Sequence, residues 1–227
     1  MDNILLQVGP FPVYTLGLFL AISYLIGIFS FWRLGRREGF SSDSILDLTF
    51  LTSFFGLLGG RLLFLFLLRE GWGAADILRF GEGVFWVGVL LAGAVFLLIF
   101  SRVKGWSVLR VGALAVTSLT LGQAWGFLGA EIANYFPYAF YPAFGYLLLW
   151  FLLRFLLNRK VEPGYPVSLY LIFSGALLYL TEWLRPLKAL LPNGWNLNYL
   201  SGEVLAGLGG LLLLFMVARL TLIKVKS

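Results

Sequence analysis

Seven apolar runs, each close to the roughly 20 residues that a helix needs to cross a bilayer's hydrocarbon, constrain this chain more than any other feature. They cover residues 11–32, 45–68, 84–101, 111–130, 141–157, 165–183 and 200–218. No hydrophilic stretch between them is long enough for a separate soluble domain. Residues 1–227 therefore read as one polytopic domain, an all-α integral membrane protein with seven transmembrane helices. Charged residues make up 12% of the chain, about half of what a soluble domain carries. The first run lacks a basic leader and ends in FWRLGRR rather than a small-residue cleavage site. It reads as a membrane helix and not as a signal peptide.

The basic residues orient the bundle. Arg33, Arg36 and Arg37 follow the first run, Arg102, Lys104 and Arg110 the third, Arg154, Arg159 and Lys160 close the fifth, and Arg219, Lys224 and Lys226 the seventh. Alternating spans bring all of these to one side. The positive-inside rule makes that side cytoplasmic, with the N-terminus outside and the C-terminus inside. The net charge of +6 is thus a topological signal, and no nucleic-acid partner is expected. Tryptophans and tyrosines near the span ends, among them Trp32, Trp106, Tyr135 and Tyr199, suit the two interfacial belts. Segment 184–199 is too polar and too broken by Pro186 and Pro192 to span, and is expected along the outer surface.

The chain has no cysteine and no histidine, which excludes disulfides, thiol chemistry on this chain, and zinc held by those residues. No metal or other cofactor is expected. A general acid or base must come from Asp, Glu, Lys, Tyr or water.

Against this background the ionisable residues near the spans stand out. A carboxylate near the bilayer core costs about 2.5–3.5 kcal/mol on insertion scales and is usually retained for a task. Glu131 ends the fourth run, Glu182 and Arg185 end the sixth, Glu203 opens the seventh, and Glu82 precedes the third. Arg61 lies about 16 residues into the second helix, roughly 24 Å from its cytoplasmic end. All six fall in the outer leaflet. Two small-residue clusters, GLLGGR (56–61) and GQAWGFLGAE (122–131), end directly on Arg61 and Glu131. Small residues let backbones approach closely, and here they would let a head group or a neighbouring helix reach the charge. A guanidinium is well suited to clamp phosphate through its fork of donors. The residues alone point to an outer-leaflet site for a phospholipid head group.

At these positions the chain resembles the bacterial prolipoprotein diacylglyceryl transferase family. VGPFPVYTLG is similar to that family's IGP…YGL first helix, and LLGGR to its FLGGR, which sets Arg61 on the family's arginine. GQAWGFLGAE aligns with the signature GRxGNFxNxE through Gly122, Phe127 and Glu131. YPAFGY is similar to HPSQLYE through Pro142 and Tyr146, and LLYLTEWLRP to FRxxVEFFRxP through Glu182, Arg185 and a proline. YLSGEVLAG is similar to LSMGQILS, with Glu203 in place of the family's glutamine. The order is kept along nearly the whole chain. Departures fall on polar positions: Gly88 and Tyr141 stand where the family has histidines, Gln123 and Leu178 where it has arginines, Gly126 for an asparagine and Phe144 for a glutamine.

The resemblance implies transfer of a diacylglyceryl group from phosphatidylglycerol to the cysteine of a prolipoprotein signal peptide, at the outer leaflet of a bacterial cytoplasmic membrane, by a monomer. Glu131 would be the base and Arg61 would stabilise the leaving phosphate. Arg185, Glu182, Gln123, Glu203 and Tyr146 would contact lipid. Losing two phosphate-binding arginines would cost on the order of several kcal/mol of transition-state stabilisation. Two alternatives therefore stand beside the enzyme: a non-catalytic phospholipid- or partner-binding protein on the same scaffold, and a head-group transferase with another acceptor.

Overall fold

The computed structural model describes residues 4–68, 71–79, 81, 83–136, 138–182 and 196–226. A two-stranded hairpin, β1 (Ile4–Val8) and β2 (Phe11–Tyr14), leads without a break into α1 (Thr15–Arg37). Then follow α2 (Ser42–Leu68), a 3-10 turn (Ala74–Leu78), α3 (Trp86–Val103), α4 (Val108–Ile132), α5 (Phe140–Asn158), α6 (Gly164–Thr181) and α7 (Leu197–Lys226). Among the described residues all seven helices are long and apolar enough to span a membrane. The protein is a multi-pass, α-helical membrane protein, as the apolar runs require.

The hairpin is the one element that the apolar pattern did not announce. Its turn sits on Gly9, whose φ of +60° suits glycine, and on Pro10. The flanking Val8, Phe11, Val13 and Tyr14 are strand-forming types. The strands pair antiparallel, with Leu6 opposite Val13 and Gln7 opposite Pro12. The sequence read 11–14 as the start of the first span, because β-branched and aromatic residues are as apolar as a membrane helix. The helix starts only at Thr15.

Close approach of backbones organises the bundle. α2 packs mainly on α3, α1 mainly on α4, and α6 mainly on α7, while α4 also packs on α5; contacts of α1 with α2 and of α3 with α4 are sparse. Glycines make the tight pairs possible. A Cβ placed on Gly88 of α3 would lie 2.8 Å from the Gly60 Cα of α2. One on Gly202 of α7 would lie 2.7 Å from the Gly175 carbonyl oxygen of α6. One on Gly122 of α4 would lie 3.1 Å from the Ser23 carbonyl oxygen of α1. At the basic end, Arg110 of α4 donates to Glu38 at the end of α1 through Nε at 2.9 Å, joining the two helices that also share the glycine contact. Buried clusters hold the interior, one around Ile45, Leu48, Val111 and Leu114 and another around Tyr146, Leu149, Leu153 and Tyr170. Phe66, Leu211, Leu214 and Phe215 remain exposed on the outside, where lipid tails would meet them.

This packing separates glycines that resemble one another in sequence. Gly88→Ala should lower stability by about 1–3 kcal/mol, because α2 presents backbone rather than a movable side chain. Gly126→Ala, whose Cβ would meet only the Ser23 hydroxyl at 3.7 Å and a Leu20 methyl at 3.9 Å, should leave it nearly unchanged. Thermal unfolding of the two variants in one detergent checks the difference.

Candidate functional site

One end of the bundle carries the hairpin, the 3-10 turn and the helix ends that bear Arg61, Glu131 and Glu182. Arg61 is completely buried. Its Nε and Nη2 donate to the Asp76 carbonyl at 3.1 Å and 2.8 Å, and Nη1 donates to the Gly83 carbonyl at 2.9 Å. The guanidinium carbon also lies 5.3 Å from the Phe64 ring centre. The fork geometry of arginine thus holds both sides of the loop between α2 and α3. The Asp76 side chain adds to it, accepting from the Gly73 amide at 2.9 Å and pairing with Arg79 at 3.1 Å. The loop so fixed delivers Val84 and Trp86 to the wall of a cavity.

That cavity, of about 740 Å³, occupies the sparsely contacted seam between the α1–α4 pair and the α2–α3 pair. Along α4 it is lined from Ala115 to Ala130, and it reaches Tyr146 of α5 and Leu178 of α6. Among the described residues, none that lines it is charged. Gln123 and Leu178, which stand where the resemblance places two arginines, are both in its wall. Three lining residues carry buried polar atoms without a hydrogen-bond partner: Thr52 Oγ1, Ser118 Oγ and Gln123 Oε1. Tyr146 is buried and stacks on Phe127, ring centres 5.7 Å apart at 11°.

Glu131 follows Ala130, the last α4 residue in the cavity wall. Its Oε2 is buried and has no hydrogen-bond partner. Glu182 is fully buried and accepts from the Asn196 side chain at 2.8 Å, while Asn196 Oδ1 accepts from the Tyr199 amide at 3.3 Å. This joins the end of α6 to the start of α7. Glu203 lies exposed on α7. Glu82, Arg185 and most of segment 184–199 fall outside the described residues. The structure therefore brings Gln123, Tyr146 and the end of α4 to one cavity. Arg61 serves the loop beside it, Glu182 the α6–α7 junction, and Glu203 faces outward.

A family model described as prolipoprotein diacylglyceryl transferase matches residues 3–218. The chain belongs to that family. The phosphatidylglycerol–prolipoprotein diacylglyceryl transferase of Clostridium tetani is 25% identical over 215 residues, covering 82% of this chain and 86% of that relative. The second such enzyme of Clostridium perfringens is 25% identical over 222 residues, covering 82% and 84%. The Bacillus mycoides enzyme is 30% identical over a shorter stretch of 129 residues, 56% of this chain and 48% of that one. Membership places the chain in a transferase family of lipoprotein biosynthesis.

Sequence reasoning missed the hydroxyls of the seam. Thr49, Thr52 and Ser53 recur at the i, i+3, i+4 spacing that puts residues on one helix face, and all three line the cavity. Thr49 and Ser53 return their hydroxyls to the preceding turn at 2.7 Å and 2.8 Å, as such residues do in apolar surroundings; Thr52 does not.

The Arg61 contacts yield a prediction. Lysine keeps the charge but cannot reach two carbonyls with a planar fork. Arg61→Lys and Arg61→Leu should both speed hydrogen exchange across residues 73–86 while leaving α5 and α6 protected. Each should cost about 1.5–3 kcal/mol or more in stability, the scale of hydrogen bonds to a charged group.

Proposed function

We propose that the chain transfers a diacylglyceryl group from phosphatidylglycerol to the lipobox cysteine of prolipoproteins, working as a monomer at the outer leaflet of the bacterial cytoplasmic membrane. The hairpin end of the bundle faces outward in this reading, as the positive-inside pattern requires. Family membership supports the reaction class, and one observation carries the assignment to a residue. Glu131 offers a buried carboxylate oxygen with no hydrogen-bond partner, at the end of the helix that lines a lipid-sized cavity. A buried acceptor left unsatisfied costs free energy and is accounted for by a donor that arrives with the substrate.

Glu131 takes the proton of the cysteine thiol as sulfur attacks C3 of the diacylglyceryl moiety. The S–C bond forms as the C–O bond to phosphate breaks, and glycerol phosphate leaves with the electron pair of that bond. The proton held by Glu131 is then returned to the leaving phosphate or to water. Arg61 contributes chiefly by positioning, since it fixes the 73–86 loop beside the reacting groups, and its charge favours the leaving phosphate from behind that loop. Glu182 holds the α6–α7 junction through Asn196, and Glu203, exposed on α7, takes no part in the cavity. Gln123 and Tyr146 contact the lipid in the cavity.

The test is mass spectrometry of a lipobox peptide incubated with the purified protein in phosphatidylglycerol liposomes. A diacylglyceryl increment on the cysteine is expected. Glu131→Gln should lower its rate by about 10²–10⁴-fold, the usual contribution of a general base, with the thermal midpoint little changed. Absence of the increment with folded wild-type protein would remove the transfer reading, leaving a lipid-binding scaffold.

A further inference from the structure

The end of the bundle away from the hairpin carries a charge arrangement that the transfer reaction does not use. Phe31 and Leu34 of α1 share one buried cluster with Leu157 of α5 and with Val111 and Leu114 of α4. α1 and α5 each pack on α4 and scarcely on each other, so their ends flank a groove floored by α4. Beside these apolar anchors stand Arg33 and Arg37 on α1 and Arg154 on α5. Arg33 and Arg37, one turn apart, lie on one helix face, and both are close enough to Arg154 to repel its charge. Arg154 is half-buried, and Arg33 and Arg37 are exposed. Among the described residues, none of the three forms an ion pair with a carboxylate. The same rim does pair a guanidinium where an acid is supplied, since Arg110 meets Glu38 at 2.9 Å. The positive-inside rule asks for cations near the span ends. It does not ask that three of them, from two helices, be gathered without a carboxylate.

We propose that Arg33, Arg37 and Arg154 form a binding site for the head group of an anionic phospholipid, in the leaflet opposite the hairpin. Gathered like charges are stabilised by a counter-anion, and the planar fork of arginine donates two parallel bonds to phosphate oxygens. Depth selects a lipid as the source of that phosphate. Arg33 and Arg154 each lie four residues, about 6 Å, inside the last residue of their helices, so they face the interfacial layer of a bilayer rather than open water. Their neighbours are apolar: Phe29, one turn deeper than Arg33, and Phe151 and Phe155 on α5 are all more than half exposed. Acyl chains can run down these faces from a phosphate held by the guanidiniums. A single phosphodiester carries one negative charge, while cardiolipin carries two and can reach both helices, so cardiolipin is the preferred member of the class. In the orientation proposed above this leaflet is the cytoplasmic one, where basic pockets between helices suit such lipids. The site is separate from the transfer chemistry and does not depend on it.

Native mass spectrometry of the full chain in detergent micelles tests it, with tetraoleoyl-cardiolipin, dioleoyl-phosphatidylserine, dioleoyl-phosphatidylcholine and inorganic pyrophosphate added separately at equal concentrations. Cardiolipin should fill a saturable site, with phosphatidylserine weaker and phosphatidylcholine weaker still. Arg33→Gln combined with Arg154→Gln should lower cardiolipin affinity by about ten- to hundredfold, the scale of hydrogen bonds between charged groups. Arg102→Gln combined with Lys104→Gln removes the same charge from the end of α3 and should leave that affinity unchanged. Thermal unfolding gives a second reading. Relief of repulsion should leave the Arg33→Gln, Arg154→Gln chain no less stable without lipid, and cardiolipin should raise the midpoint of the wild-type chain but not of this variant. Equal loss of affinity in both double variants would overturn the proposal, since net charge alone would then account for binding. Phosphatidylcholine bound as tightly as cardiolipin would do the same, and pyrophosphate bound as tightly would overturn the assignment to a lipid. The peptide assay of the preceding section reads transfer, so failure of the one does not decide the other.

Discussion

In a medium without water, each helix must satisfy its own backbone, and helices then gain little from burying apolar side chains that lipid would solvate as well. What is left to hold the bundle is contact: backbones brought close enough for dispersion to add up over many atoms. The glycine pairs at α1–α4, α2–α3 and α6–α7 are that contact, and the rest of the structure follows from where they fall. Two tight pairs meet along a loose seam, and the seam is the cavity. The same glycines are therefore scaffold and site boundary together. Gly122 faces the α1 backbone and borders the cavity, so neither of the two readings of the small-residue clusters excludes the other.

Much of this was legible in the sequence. Seven runs near the spanning length fix seven helices, because chain chemistry alone forces that outcome. The family was legible too, from ordered motifs such as GQAWGFLGAE and LLGGR that survive where neighbouring positions have changed. The hairpin was not. Phe11, Val13 and Tyr14 are apolar in either state, and only Gly9 and Pro10 mark the turn. The detailed partners of Arg61 were also out of reach. Sequence distance gives its depth along α2, but the carbonyls of Asp76 and Gly83 become partners only when the loop folds back over the helix end. A carbonyl partner leaves no residue-type signature, since every residue carries one.

The site divides into two chemistries that a linear reading merges. Near the hairpin end sit a carboxylate with an open oxygen, a buried arginine ordering a loop, and a carboxylate–amide link between α6 and α7. Deeper in lies a neutral wall of hydroxyls and one amide. Among the described residues the buried charges of Arg61, Glu131 and Glu182 lie toward the hairpin end, and the deeper wall carries uncharged donors and acceptors. This gradient runs with the rising cost of a charge toward the middle of a bilayer.

The glycine contacts between α2 and α3 have a mechanical consequence. A joint in which Gly60 meets Gly88 has no flexible side chain to compress, so it transmits displacement without absorbing it, as close-packed interiors do. The α2–α3 pair is stiff within itself and weakly fastened along both flanks. Few contacts tie this plate across the seam, so the width of the seam is held less firmly than the spacing of α2 and α3 themselves. Arg61 sits at the hairpin end of that plate, and its bonds to Asp76 and Gly83 make the connecting loop part of it.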